Sequence, residues 1–299
     1  MHLKLNLKRK IAPVLALLLL IPALAACSKK DGVVVASKDY TENKILGEML
    51  AQLIENKTDL NVERKMNIGG TFVCFEAIKK GEVDIYPEYT GTALTAYLKL
   101  PVDSDPDKVY QTVSEEFEKQ FQITWLDPFG YNNTYALAMP KELAEQNGIE
   151  SISDLVPLSD QFVFGAEHNF FNREDGYDGL VKMYGLKFKD EAKMENSLKY
   201  QAIGEGKMDV TDAYTTDGQL KALNLKVLED DKGFFPPYYA APIIRDDTLQ
   251  KYPELKEVLN SLSGKIDEET MQDLNYQVDN EKKSIEEVAT AFLKDQGLI

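Results

Sequence analysis

The sequence predicts an α/β protein built of two similar lobes joined by two crossover strands. Three observations favour this architecture: strand and helix patterns alternate, one segment recurs, and two aromatic stretches marked by glycine or proline separate the halves. Strands separated by helices are typical of parallel pairing, because a parallel connection must cross back over the sheet. We therefore expect a parallel sheet in each lobe.

The alternation begins at residue 33. Residues 33–36 form a β-branched run without polar alternation, which indicates a buried strand. Asp39 followed three residues later by Glu42 predicts a capped helix, and residues 62–68 predict the next strand. The apolar residues that recur on one face of this helix are Ile45, Leu46, Met49, Leu50, Leu53 and Ile54.

A repeat within the chain gives the second observation. Residues 77–90 and 202–215 share the pattern Ala-Ile-x-x-Gly-x-Φ-Asp-Φ-x-x-x-Tyr-Thr without a gap, where Φ is apolar. Each copy predicts a helix end, a glycine stop, a buried strand and a loop. Ligands of open α/β sheets bind beyond the carboxyl ends of the strands. Tyr89 and Tyr214 are therefore expected to face one cleft, and the alternative is two unrelated units that share common residues.

Two aromatic stretches, residues 129–138 and 234–242, are interpreted as the crossover strands. They divide the chain into lobe I, residues 33–131 and 236–299, and lobe II, residues 132–235. Two crossings make a hinge, which suits a protein that closes around a ligand.

The first 26 residues have the pattern of a secretory signal peptide. Basic residues precede an apolar run that Pro13 and Pro22 interrupt, so the run is poorly suited to a permanent membrane span. The run ends in Leu-Ala-Ala directly before Cys27. This spacing predicts that Cys27 becomes a lipidated first residue and that residues 27–32 form a tether. The alternative is an ordinary signal peptide with an incidental cysteine.

Composition excludes several classes of function. A net charge of −16 disfavours nucleic-acid binding, which needs a basic footprint. His2 and His168 are the two histidines, so a histidine-rich zinc site is excluded. With Cys27 lipidated, Cys74 has no disulfide partner, and its apolar surroundings predict a buried, inert thiol. No nucleophile elbow or phosphate loop is present, so we expect neither an enzyme, nor a cofactor, nor a metal.

Tyrosines favour a ligand of one chemical class. The chain has 15 Tyr and one Trp, and Tyr89, Tyr135, Tyr214 and Tyr238 fall at predicted strand ends or crossovers. A quaternary ammonium has no N–H, so a box of aromatic faces is the available way to hold it. For Tyr97, Tyr184 and Tyr276, which fall on predicted helices, packing is the preferred interpretation.

Five stretches of the sequence resemble the osmoprotectant substrate-binding proteins that serve ABC importers for glycine betaine, choline and carnitine. They are residues 89–92 (Tyr-Thr-Gly-Thr), 133–136 (Asn-Thr-Tyr-Ala), 175–177 (Asp-Gly-Tyr), 213–218 (Ala-Tyr-Thr-Thr-Asp-Gly) and 234–238 (Phe-Phe-Pro-Pro-Tyr). The resemblance covers essentially the whole chain after the signal. It implies the two-lobe periplasmic-binding fold of type II, ABC permease subunits as partners, and a lipid-anchored position on the extracytoplasmic face of the cell membrane.

The resemblance also implies site residues. The tyrosine cage of the family carries over to Tyr89, Tyr135, Tyr214 and Tyr238, and a threonine beside the cage to Thr92. Lys38 replaces a family glutamine that holds the polar end of the solute. A lysine there favours a carboxylate, and so betaine or carnitine over choline, while a solvated lysine near a helix start is the equal alternative.

Two further charged residues have open roles. Arg173 is the lobe II candidate for a bidentate clamp on a carboxylate, or it pairs with a neighbouring acid on the surface. Glu88 assists a cation or is a loop residue.

Two alternative ligands remain. The segment 86–89 (Tyr-Pro-Glu-Tyr) resembles relatives that bind ergothioneine, a larger betaine. An amino-acid ligand would need an acceptor for its N–H groups, for which Glu88, Asp212 and Asp217 are candidates.

Overall fold

A computed structural model describes residues 32–172 and 176–299 of the chain. The predicted signal peptide, the lipidation site Cys27 and the tether up to residue 31 lie outside the described residues, as does Arg173. Residues 32–299 form one compact unit with its own hydrophobic cores. Within the described ranges, no helix combines the length and the apolar character that crossing a membrane requires.

The first sheet contains five strands in the order β2-β1-β3-β10-β4. Their bounds are β1 Gly32–Ala36, β2 Asn61–Lys65, β3 Ile85–Tyr89, β4 Ile123–Trp125 and β10 Ala240–Arg245. β1 pairs in parallel with β2 and β3, whereas β10 runs antiparallel to β3 and β4. The strand expected at residues 62–68 ends earlier, at Lys65, because Asn67 turns the chain with a φ of 62°. We call this sheet and the helices around it lobe I.

The second sheet, in lobe II, has the same layout. Its strands are β5 Tyr135–Pro140, β6 Val163–Glu167, β7 Asp190–Met194, β8 Val210–Tyr214 and β9 Leu225–Val227, in the order β7-β6-β8-β5-β9. β6 pairs in parallel with β7 and β8, and β5 is antiparallel to β8 and β9. The expectation of a parallel sheet is confirmed for β1, β2 and β3 and for β6, β7 and β8, but both sheets are mixed because β10 and β5 pair antiparallel. In each sheet, one strand is antiparallel to both of its neighbours. It is the strand that follows a crossing from the other lobe, β5 in lobe II and β10 in lobe I.

The repeat found in the sequence occupies the same place in both lobes. Gly81 and Gly206 end their helices with φ values of 71° and 67°, a conformation that glycine adopts without strain. Asp84 accepts a hydrogen bond from the amide of Val34 at 2.7 Å, and Asp209 accepts one from Val163 at 2.8 Å. The shared aspartate thus ties the strand of each repeat to its parallel neighbour, β1 in lobe I and β6 in lobe II.

Helices cover both sheets. Those of lobe I are α1 Thr41–Lys57, α2 Thr71–Lys79, α3 Thr90–Thr92, α4 Pro106–Phe121, α11 Asp246–Lys251, α12 Leu255–Asn260, α13 Glu268–Asp279 and α14 Ile285–Asp295. Those of lobe II are α5 Lys141–Asn147, α6 Ile152–Leu155, α7 His168–Asn172, α8 Tyr177–Tyr184, α9 Asn196–Gly204 and α10 Gly218–Ala222. A π-helical turn, Ala93–Tyr97, extends α3, and a 3-10 helix, Val156–Gln161, follows α6.

Helix α1 buries the predicted apolar face but lacks the predicted cap. Its N-cap residue is Tyr40, and no side chain caps it. Asp39 is therefore not the cap, and Glu42 does not reach back to the helix start. The Glu42 carboxylate instead accepts hydrogen bonds from tyrosines of lobe I, because these strong donors surround it in the interior.

Two crossings run side by side between the lobes. A β-bridge joins Asn132 to Tyr239, and the Tyr238 amide donates to Asn132 Oδ1 at 2.7 Å. Thr134 Oγ1 donates to the Pro236 carbonyl at 2.8 Å. The predicted crossovers therefore lie together, and the regular strands β5 and β10 begin near the end of each stretch.

Helix α13 of lobe I also contacts lobe II. Gln272 Nε2 donates to the Thr215 carbonyl at 2.7 Å, and Asn275 Nδ2 donates to the Thr216 carbonyl at 2.9 Å. A Cβ atom on Gly218 would lie 2.8 Å from the amide nitrogen of Tyr276, so only glycine permits this approach. The loop that follows β8 is thus held against the other lobe.

Candidate functional site

A cleft of about 700 Å³ lies between the two sheets. Its lining combines residues of lobe I, lobe II and the crossings. Six of the seven residues expected to bind ligand lie on this lining: Lys38, Tyr89, Thr92, Tyr135, Tyr214 and Tyr238. The seventh, Arg173, lies outside the described residues. Binding by these residues stays a prediction, whereas their convergence on one cleft is a property of the fold.

The lobe I side of the cleft carries Tyr89 and Tyr238. Tyr89 is the last residue of β3, and its hydroxyl donates to Glu42 Oε1 at 2.6 Å. Tyr238 lies in the second crossing and packs over Gly91. A Cβ on Gly91 would lie 2.7 Å from the Tyr238 ring, so the glycine leaves room for the ring.

The lobe II side carries a stacked pair of tyrosines. Tyr135 and Tyr214 are register partners in β5 and β8, and their ring centroids lie 4.6 Å apart at an interplanar angle of 29°. The Tyr214 hydroxyl donates to the Tyr135 hydroxyl at 2.9 Å, and Tyr135 donates to Glu167 Oε1 at 3.0 Å. Burial raises the pKa of both phenols above their ordinary value, so the rings stay protonated and neutral.

Glu42 is a buried carboxylate at the base of the cleft, with 4% of its surface exposed. Its Oε1 accepts hydrogen bonds from the Tyr89 hydroxyl at 2.6 Å, the Tyr131 hydroxyl at 2.8 Å and Asn133 Nδ2 at 3.0 Å. No lysine or arginine of the described residues forms an ion pair with it. Glu42 therefore places a carboxylate in this part of the cleft that has no ion-pair partner among residues 32–172 and 176–299.

Lys38 and Glu88 form a buried ion pair. Lys38 Nζ lies 2.5 Å from Glu88 Oε1, and the two side chains are 3% and 0% exposed. The hydroxyls of Tyr86 and Tyr97 also donate to Glu88 Oε2, at 3.0 and 2.6 Å. The interpretations of Lys38 as a solvated lysine and of Glu88 as a loop residue are wrong, because Glu88 lies inside β3 and needs a cation to offset its burial.

Comparison with known proteins identifies the family. Residues 31–295 match the family described as the substrate binding domain of ABC-type glycine betaine transport systems. The chain belongs to this family. Its lobes, sheets and central cleft are those of a type II periplasmic binding protein. The solved structure titled glycine betaine/carnitine/choline ABC transporter covers 89% of this chain and 99% of its own, with a TM-score of 0.86 and 37% identity.

Two curated relatives differ in the solute that they are named for. A carnitine transport binding protein of Listeria monocytogenes is 37% identical over 96% of this chain and 97% of its own length. An ergothioneine transport permease/ergothioneine binding protein of Helicobacter pylori is 45% identical over 89% of this chain. The matched region spans 48% of that longer protein. These relatives are solute-binding transport proteins rather than enzymes.

Among the candidate acceptors for N–H groups, Asp217 lies on the cleft of this binding protein. The Tyr200 hydroxyl and the Tyr214 amide donate to it, and burial raises its pKa. Asp212 is not on the lining and pairs instead with the fully buried Lys199 at 2.9 Å.

A reactive thiol and a metal site are the other kinds of chemistry that the sequence raised. Cys74 is buried as predicted, and burial raises the pKa of its thiol to about 12. Across residues 32–172 and 176–299, no three His, Cys, Asp or Glu side chains lie together in a way that would hold a metal ion.

Sequence reasoning missed Glu42 and Asn275 as cleft residues, and it missed Tyr131 as a buried partner of Glu42. The local spacing of Glu42 indicated a helix cap, and its partners Tyr131 and Asn275 lie 89 and 233 residues away in the chain. The segment Asn-Thr-Tyr-Ala did contain a usable signal, because it places Asn133 two residues before the cleft residue Tyr135.

Proposed function

We propose that this chain is the solute-binding component of an ABC importer, and that it binds small quaternary-ammonium solutes such as glycine betaine, carnitine and choline. The convergence of four tyrosines from both lobes on one cleft carries this proposal. Tyr89, Tyr135, Tyr214 and Tyr238 form the cage for the trimethylammonium group.

The electrostatics of the cleft support a cationic group in that cage. Each aromatic face contributes about 0.5–2 kcal/mol to holding a cation, and more when water is excluded. The Tyr89 hydroxyl donates a hydrogen bond to Glu42, and the Tyr135 hydroxyl donates one to Glu167. A carboxylate therefore lies behind each of these two rings. Negative charge behind a ring strengthens the attraction of its face for a cation, because the field of the carboxylate adds to the ring quadrupole.

Lys38 is proposed to hold the carboxylate of betaine or carnitine. Its ammonium group has three N–H donors, of which two point to Glu88 and Thr71. A third donor at the cleft lining can serve a solute, although Glu88 already balances the charge of Lys38. Thr92 is proposed to line the cage, and Arg173 is proposed to assist the carboxylate.

The proposed cellular position is the extracytoplasmic face of the membrane, where Cys27 carries a lipid and the permease subunits receive the solute. The small residues before Cys27 and the basic start of the chain support this position. Cys27→Ser is expected to move the protein from the membrane fraction into the soluble fraction when the full chain is expressed. Retention of the variant in the membrane fraction would contradict a lipid anchor at Cys27.

A second candidate ligand is ergothioneine or another larger betaine. The 45% identity to the Helicobacter pylori relative favours it, as does a cleft of about 700 Å³. The same tyrosine cage would hold its trimethylammonium group, so this candidate changes the solute and leaves the binding chemistry in place.

Calorimetric titration of residues 28–299, which contain the whole described unit, tests both candidates. The panel is glycine betaine, carnitine, choline, proline betaine and ergothioneine. Binding of the small solutes supports an osmoprotectant importer, and binding of ergothioneine alone supports the second candidate. Absence of binding by all five would refute the cage.

A further inference from the structure

The base of the cleft holds three acceptor oxygens that lack full hydrogen bonding. The first is Glu42 Oε2, which receives only a long contact of 3.4 Å from Asn275 Nδ2, whereas Oε1 accepts three donors. The other two are Asn133 Oδ1 and Asn275 Oδ1. Both are buried, and no donor of the described residues reaches either of them.

Chemistry fixes the orientation of the two amides. Carboxylate oxygens accept hydrogen bonds from amide NH₂ groups, so Asn133 and Asn275 turn their NH₂ groups toward Glu42. Asn275 Nδ2 also donates to the Thr216 carbonyl at 2.9 Å, which holds the amide in the same orientation. Each amide oxygen is thereby turned away from the donors that surround Glu42.

A buried hydrogen-bond acceptor without a donor lowers the stability of a fold by about 1–3 kcal/mol. Such an acceptor is therefore retained where a bound molecule supplies the donor. Glu42, Asn133 and Asn275 all lie on the lining of the cleft. Asn275 is 6% exposed and belongs to lobe I, while the Thr216 carbonyl that it binds belongs to lobe II. A hinge opening at the two crossings would break this contact and give a solute access to the amides.

We infer that Glu42, Asn133 and Asn275 form a subsite that accepts a hydrogen bond from an N–H or O–H donor on the solute. This inference rests on the proposed function and adds a second requirement to it. The solute carries a donor besides its quaternary ammonium, as the hydroxyl of carnitine or choline or the ring N–H of ergothioneine does. Glycine betaine and proline betaine have no such donor and leave the three oxygens unpaired.

Two pairs of ligands test the subsite, because the members of each pair differ by a single donor. Carnitine carries a hydroxyl group that γ-butyrobetaine lacks, and in the methyl ether of choline a methyl group replaces the hydroxyl hydrogen. Calorimetric titration of residues 28–299 is expected to give at least about tenfold tighter binding for the donor-bearing member of each pair. Equal affinities within both pairs would refute the subsite, since ordered water would then satisfy the oxygens.

Variants separate the subsite from lobe closure. Asn275→Ala and, independently, Asn133→Ala are expected to reduce the carnitine preference to less than about threefold. Gln272→Ala is the matched control, because it removes a neighbouring bond from α13 to lobe II but no acceptor of the cleft. The control variant should bind carnitine and γ-butyrobetaine more weakly by the same factor, so the ratio of the two affinities should stay unchanged. A preference that survives in both asparagine variants would overturn the inference.

The outcomes also distinguish this inference from the proposed function. If neither these four ligands nor ergothioneine binds the parent protein, the quaternary-ammonium function itself is wrong. If all four bind with no preference for the donor, the function stands and the subsite is wrong. A melting temperature near that of the parent confirms that each variant is folded.

Discussion

Replacement of Tyr214 by alanine probes the cage most directly. The variant removes one aromatic face from the cation, which costs about 0.5–2 kcal/mol. It also removes two contacts that hold the Tyr135 side chain in place, the ring stack at 4.6 Å and the hydroxyl hydrogen bond at 2.9 Å. Adding about 1 kcal/mol for that loss of order gives a total of about 1.5–3 kcal/mol, or roughly tenfold to 150-fold weaker binding.

Stability should respond far less to this change, because Tyr214 is only partly buried at the edge of the cleft. Tyr177→Ala is the matched control in lobe II. Its ring stacks on Phe164 at 5.0 Å away from the cleft, so its loss should lower the melting temperature and spare the affinity. Tyr214→Phe keeps the ring and is expected to bind within about threefold of the parent.

The assay is calorimetric titration with carnitine or choline, combined with thermal unfolding monitored by circular dichroism. Tyr214→Ala binding within about threefold of the parent would refute the role of Tyr214 in the cage. A fall in melting temperature as large as that of Tyr177→Ala would show instead that Tyr214 is a core residue.

Two further variants test the buried charges. Lys38→Gln leaves Glu88 without its cation and should lower the free energy of unfolding by about 3–5 kcal/mol in chemical denaturation, with recovery when Glu88→Gln is added. In that double variant carnitine should lose more affinity than choline, and an unchanged ratio would remove Lys38 from the site. Burial raises the folded-state pKa of Asp217, so a penalty that is absent at low pH begins at the unfolded pKa and is complete above the folded pKa. Asp217→Asn should therefore gain stability relative to the parent as the pH rises above about 4, the pKa of an unfolded aspartate, and a pH-independent difference would contradict this.

The positions of the cage tyrosines could be predicted because strand patterns and a repeat are local properties of a sequence. Tyr89 and Tyr214 each end a strand whose apolar residues and preceding glycine are visible within 14 residues. Since both lobes use the same order of strands, a match between the two segments was sufficient to place both rings at one edge.

The role of Glu42 could not be predicted in this way. Its distance from Asp39 matches a helix cap, and the competing donors become neighbours only after the chain has folded. Likewise, nothing in residues 33–36 or 62–68 indicates that an antiparallel strand from residues 240–245 joins their sheet. Contacts between distant segments decide both features.

The position of β10 has a consequence for the order in which the molecule folds. All five strands of lobe II lie within residues 135–227, whereas β4 joins the lobe I sheet only through β10, more than 100 residues later in the chain. Loop closure over such a distance is slow compared with closure of nearby segments. We expect pulsed hydrogen exchange during refolding to protect amides of the lobe II strands before those of β3 and β4, and simultaneous protection would contradict this order. In this order of folding, the first half of lobe I stays an incomplete sheet until lobe II has formed, and we expect the binding cleft to be the last part of the protein to form.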